Sequence, residues 1–96
     1  MFVIDMSLKN APLYEGCEIK EVGGRLTLTT PLPEAINIVG RNAIAIVAGT
    51  EDRSEVTLTG PMAVWAYLLS FHAAVHSFGK VYYHDGRNNP VLISQH

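Results

Sequence analysis

Three stretches of this chain carry side chains whose types and spacing suit work on a phosphate. Thr59-Gly60-Pro61 joins a β-branched run to a helical pattern, so its glycine stands at the mouth of a helix, where free amides and the positive dipole end favour an anion. Pro61 has no amide to give, which leaves Gly60 and Met62 onward as donors. The same turn is also an ordinary strand-to-helix connection, and it is neither a Walker A loop nor a GxGxxG fingerprint. His84-Asp85-Gly86-Arg87 follows a second β-rich run. There an arginine fork can bind a phosphate or stabilise its developing charge, while Asp85 orients a base or a divalent cation. Asp-Gly and Asn-Pro are equally common turn chemistry, and a solvated Arg87 needs no ligand. His72 and His76 lie four apart on one helix face with Trp65 and Leu69. HAAVH lacks the glutamate of HExxH, which excludes a zinc protease of that class, and the pair also fits two rings packed at an interface or near a helix C-terminus. RNA phosphodiester cleavage needs little beyond these groups, because the neighbouring 2′-hydroxyl can be the nucleophile once a base, a cation and in-line positioning are supplied.

The elements that must position these residues are clearest in the second half. Glu55 to Thr59 reads as a strand, Gly60 breaks it, and Pro61 takes a good first helical position. The pattern predicts a helix from Met62 to about Phe78, closed by Gly79. Thirteen of the eighteen residues from Pro61 to Phe78 are apolar and spread around the circumference, so the sheet and something further must bury this helix. Lys80 to Tyr83 is a strand, His84 to Pro90 a polar turn, and Val91 to Ser94 a last strand. Residues 55–83 thus make a βαβ unit with a right-handed crossover, and ligands of such units bind at the carboxyl ends of the strands, here Thr59-Gly60-Pro61 and His84 to Arg87. A helix of about 17 residues rises roughly 25 Å antiparallel to those strands, so His72 and His76 fall at the opposite edge. If His76 and Asp85 act on one phosphate, subunits stacked head to tail must complete the site.

The first half reads as short strands: Phe2 to Met6, Tyr14 to Ile19, and Leu26 to Thr29 after a Gly23-Gly24 turn. Pro33-Glu34 opens a short helix that Gly40 ends, and the apolar run Ala43 to Ala48 has the look of a strand covered on both faces. Thr50 to Ser54 is a surface loop. The expected fold is a single α/β domain over residues 1–96, with a mixed sheet, one βαβ crossover and one long helix. A ferredoxin-like α+β arrangement is the alternative.

Composition narrows the function. Ninety-six residues suit one domain, and 48% hydrophobic with 17% charged residues excludes a disordered linker. Thirteen of the sixteen charged residues precede position 56, whereas all four histidines follow position 71. Seven Lys and Arg against nine Asp and Glu give a net charge of −2, without the basic stripe that duplex DNA requires. One cysteine, Cys17, makes neither an internal disulfide nor a CxxC metal site, so a cytoplasmic setting is the default. Phe2 to Met6 lacks a basic flank and is not expected to be a signal peptide. The charge-free stretch Val56 to Gly79 is broken by Gly60, Pro61 and several polar residues, so no membrane span is expected.

The series Leu58-Thr59-Gly60, Trp65, His72, His76, Val81 to Tyr83, Asp85, Arg87 and a closing Ser94-Gln95-His96 resembles the small CRISPR-associated ring nucleases of the third Csx type. These belong to the CRISPR-associated Rossmann-fold (CARF) superfamily. The likeness covers residues 55–96; the first half shares only length and strand content. The resemblance implies a CARF-like domain in a homodimer that binds cyclic tetra-adenylate, the messenger of type III CRISPR defence, and cleaves it to short linear products. It implies His76, Asp85 and Arg87 as the catalytic group and Thr59, Gly60 and Pro61 as the ligand loop, although position 61 is proline where the family's loop can carry an arginine. His72, His96 and Asp85 would be metal contacts, with Mn²⁺ as the cofactor. Stacked dimers, as a tetramer or filament, would trap the ring. A non-catalytic sensor or sponge of the same ligand, or a small RNA-binding or interaction module, are the alternatives.

Overall fold

The computed structural model describes residues 2–95. The elements are β1 (Phe2–Asp5), α1 (Ala11–Tyr14), β2 (Ile19–Val22), β3 (Arg25–Leu28), α2 (Leu32–Ala48), β4 (Glu55–Thr59), α3 (Val64–Val75), β5 (Lys80–His84) and β6 (Val91–Gln95). Four strands form a mixed sheet in the order β1-β4-β5-β6, parallel across β1, β4 and β5 and antiparallel at β6. β2 and β3 make a separate hairpin around Gly23-Gly24. The chain is a small α/β domain with a mixed sheet and three helices. Parallel neighbours β4 and β5 join through α3 as expected, and a second parallel connection, from β1 to β4 through α2, adds to the one crossover anticipated. Adjacent parallel strands rule out the ferredoxin-like alternative, in which another strand splits the βαβ unit.

Both crossovers step in the same direction across the sheet, so right-handedness puts α2 and α3 on one face, where they pack against each other. That face is the core. Phe2, Val56 and Val81 share one register row, Ile4, Leu58 and Tyr83 the next. Phe2 stacks on Phe78 beyond α3, and Tyr83 meets the edge of Tyr67 on α3. The alternate row, Val3, Thr57 and Tyr82, faces away from the helices. Val3 is 53% exposed there at the sheet edge, whereas Thr57 in the central strand is buried.

Several sequence expectations are corrected. Ala43 to Ala48 is not a strand but the last turns of α2, and Gly40 lies inside that helix rather than ending it. Ala35, Val39, Ala43 and Val47 are buried at a spacing of four, a helical stripe that runs through the whole segment, while Ile44 stays 59% exposed. The stripe packs on α3, and that burial outweighs the helix penalty of about 1 kcal/mol for Gly40. Gly49 is the residue that caps α2, through its amide to the Ala45 carbonyl. Tyr14 to Ile19 is likewise no strand. Pro12 sits in the first turn of α1, Leu13 and Tyr14 are buried, and β2 begins only at Ile19. The long helix is α2, with 17 residues, and α3 has 12. Pro61 and Met62 precede α3, and His76 caps it. Gly79 does not close the helix; its amide bonds the Arg53 carbonyl and helps bring β5 alongside β4.

The position of Gly40 yields a signed prediction. A methyl group there would meet Leu69 Cδ2 at 3.8 Å, an ordinary contact, and the backbone is helical. Gly40→Ala is expected to stabilise the protein by about 0.5–1 kcal/mol in urea unfolding, by raising helix propensity. A glycine that ended the helix in the left-handed conformation would give the opposite sign.

Candidate functional site

Registry places the last residues of three parallel strands in a row: Asp5 opposite Thr59, and Thr59 opposite His84. This carboxyl edge is where open parallel sheets take their ligands. One further ladder bond, from the Met6 amide to the Thr59 carbonyl at 2.6 Å, carries the β1–β4 pairing past the strand ends. Beyond it the chain turns at Gly60, whose φ of +107° is strained for any residue with a side chain. A Cβ at this position would also lie 2.5 Å from Asp5 Oδ1 and 3.0 Å from the Ser7 nitrogen. The packing of two loops therefore demands this glycine, whatever it binds.

Two tyrosines pin those loops. The Tyr67 hydroxyl donates to the Gly60 carbonyl, and the Tyr14 hydroxyl donates to the Met6 carbonyl. Burial pushes both phenols above their ordinary range, so they stay protonated donors at neutral pH. Asp5 accepts the Ser7 amide at 2.9 Å, and its backbone carbonyl accepts the Asn10 side chain.

The site residues Thr59, Gly60, Pro61 and Asp85 line one open cleft of about 280 Å³ with Tyr67, Tyr83 and His84. Thr59 Oγ1 donates to the His84 carbonyl at 2.9 Å and lies 3.4 Å from His84 Nδ1, which ties the β4 end to the β5 end. Asp85 organises its own turn: Oδ1 accepts the Arg87 and Asn88 amides at 2.8 and 2.9 Å, and Oδ2 accepts Asn88 Nδ2. These bonds, the Asn88 amide first, hold its carboxyl below the ordinary 3.8, so it is an anion at neutral pH and no proton donor. Arg87 is exposed in that turn, and its guanidinium has no hydrogen-bond or ion-pair partner among the described residues.

The other predicted residues lie elsewhere. His72 and His76 are exposed on α3, their ring centroids 6.0 Å apart. Residues 79 and 80 bond the carbonyls of Arg53 and Ser54 at the start of β4, so the end of α3 stands at the amino edge, about 16 Å of strand from the cleft. One chain thus brings Thr59, Gly60, Pro61 and Asp85 together and leaves His72 and His76 apart from them, as the helix direction implied. His96 lies outside the described residues. Among those described, no three His, Cys, Asp or Glu assemble into a metal-holding group. His72 and Asp85 stand at opposite edges, and both Asp85 oxygens are engaged, so the residues of one chain do not fit the expected Mn²⁺ site.

Sequence reasoning passed over two polar groups of the edge. His84 had been read only as a neighbour of Asp85, yet it supplies the cleft's imidazole, the side-chain type best suited to proton transfer near neutral pH. Asp5 is a single acidic residue within the Phe2 to Met6 run. Its signal was its place at the end of a strand, usable once β1 is known to run parallel beside β4. No protein-family model, curated protein or solved structure matches this chain.

Gly60→Ala is expected to destabilise the fold by about 1–3 kcal/mol through positive-φ strain and contact with Asp5. Thermal unfolding checks it. An unchanged midpoint would mean that the two loops do not pack as closely as described.

Proposed function

We propose that this chain is a CARF-like ring nuclease that binds cyclic tetra-adenylate and cleaves its phosphodiesters, switching off type III CRISPR signalling. The observation that carries the reading is the convergence of Thr59-Gly60 and His84-Asp85 in one cleft at the carboxyl edge, since these are the segments through which the sequence resembles that family. In this reading the Gly60 turn receives a phosphate, and the unpaired Arg87 guanidinium offsets the charge that develops on it. A ribose 2′-oxygen attacks the adjacent phosphorus as its proton passes to a base. The 5′-oxygen leaves and takes up a proton, giving a 2′,3′-cyclic phosphate and a 5′-hydroxyl. Cyclic tetra-adenylate carries only four phosphates, so a chain of net charge −2 can serve it where duplex DNA would be a poor partner.

His76 reaches such a phosphate only from another molecule. Self-association has a surface to use: Val64 and Leu68 are 72% and 62% exposed on the α3 stripe that continues to His72 and His76. A homodimer that stacks head to tail brings the amino edge of one copy to the carboxyl edge of the next. No helix among the described residues is long and apolar enough to cross a membrane.

One observation favours the sensor or sponge reading as the second choice. The Asp85 carboxylate is spent on its own turn, which leaves the cleft without an acid–imidazole pair.

Mixing two inactive variants tests the proposal. His76→Ala and Asp85→Ala should each lose most cleavage of cyclic tetra-adenylate. A one-to-one mixture should recover roughly a quarter of wild-type activity, because a site built between copies is intact whenever each supplies its unmutated residue. A wild type that retains the ring uncleaved would establish the sensor. A wild type that neither binds nor cleaves it would leave an interaction module.

A further inference from the structure

The β2–β3 hairpin has no counterpart in the residues through which the chain resembles ring nucleases, and it stands beside the proposed site. Its tip, with Gly24, Arg25, Leu26 and Thr27, forms one wall of a second cleft of about 500 Å³. Ser7, Leu8 and Lys9 from the β1–α1 loop form another wall, and Pro61 with Met62 closes it. Pro61 and Met62 also line the Gly60 cleft, so the two cavities flank a single turn.

This second cleft combines cationic and apolar side chains. Lys9 and Arg25 are exposed cations, and neither has an ion-pair or hydrogen-bond partner among the described residues; the one ion pair there joins Lys20 to Glu18. With Arg87, three of the chain's seven Lys and Arg residues thus stand near the carboxyl edge of a protein whose net charge is negative. Leu8, Leu26 and Met62 line the same cleft as the two cations, and Leu26 is left 44% exposed although it is apolar. Aliphatic side chains of this kind cover the face of a base, and ammonium and guanidinium groups take the phosphates on either side of it.

We infer that the hairpin cleft is a second nucleotide subsite, in which Lys9 and Arg25 hold the phosphates of an oligoadenylate and Leu26 and Met62 cover one of its bases. This rests on the proposed function, because the same ligand must reach from the Gly60 turn. The hairpin then sets how many nucleotides one chain engages. It is suited to that work: its strands pair chiefly with each other, and Glu18, Thr29 and Thr30 tie its base, so the tip can close on a ligand at little cost to the core.

Binding of fluorescent cyclic tetra-adenylate and of linear tetra-adenylate, each at several salt concentrations, tests the inference. Lys9→Gln/Arg25→Gln should keep the wild-type thermal midpoint, because both side chains are exposed and unpaired. It should bind the ring about tenfold more weakly, with a shallower dependence of affinity on salt. Arg41→Gln, which removes one positive charge from the exposed side of α2, should bind as the wild type does. Equal affinity and equal salt dependence of wild type and double variant would overturn the hairpin subsite and leave the proposed function standing. A wild type that binds neither oligoadenylate would overturn both.

Discussion

Everything at the carboxyl edge depends on how closely two loops approach each other at residue 60. Because Gly60 has no side chain, its α-carbon can lie against Asp5 and the backbone of Met6 and Ser7. That approach allows the Met6 amide to reach the Thr59 carbonyl, which extends the β1–β4 ladder beyond the strands. The hydroxyls of the half-buried Tyr67 and the buried Tyr14 then bond the carbonyls of Gly60 and Met6. Thr59 in turn holds the end of β5 through the His84 carbonyl. Three strand ends become one rigid rim, and the cleft is the space left above it.

A rim of this kind fixes what one chain can and cannot do. Parallel strands deliver Asp5, Thr59 and His84 to the same edge, and the helix that joins β4 to β5 must carry its last residues to the other. His72 and His76 are therefore separated from Asp85 by the length of the sheet, a consequence of topology that no side-chain rotamer can undo. The sheet has helices on one face only, and α3 itself keeps an apolar stripe exposed, so the fold leaves surface on which further copies can pack. Under the proposed function, this separation and the exposed apolar surface of α3 call for a site that is completed by assembly.

The second half of the chain was legible because its signals are local. Glu55 to Thr59 is a β-branched run ended by Gly60, and Lys80 to Tyr83 follows after a helix-length apolar segment; both strands lie where the pattern put them. Their parallel pairing, and hence the shared edge of Thr59 and Asp85, followed from the length of the connection. The first half misled where tertiary contacts decide the outcome. Ala43 to Ala48 is uniformly apolar over six residues, too short a window to show the spacing of four that becomes visible from Ala35 onward. Gly40 suggests a helix end, yet packing against α3 retains it inside α2. Asp5 and His84 were missed for a related reason. Each gains its meaning from a neighbouring strand, and the pairing of β1 with β4 spans more than fifty residues.

The central claim is that ligand binds at the rim formed by Asp5, Thr59, Gly60 and His84. At 10.5 kDa the protein suits amide chemical-shift mapping, with cyclic tetra-adenylate titrated into the isotopically labelled chain. The account predicts saturable shifts centred on the amides of Ser7, Gly60, Met62, Asp85 and Gly86. Shifts confined to the sheet face around Val3 and Tyr82, or no shifts at all, would contradict it.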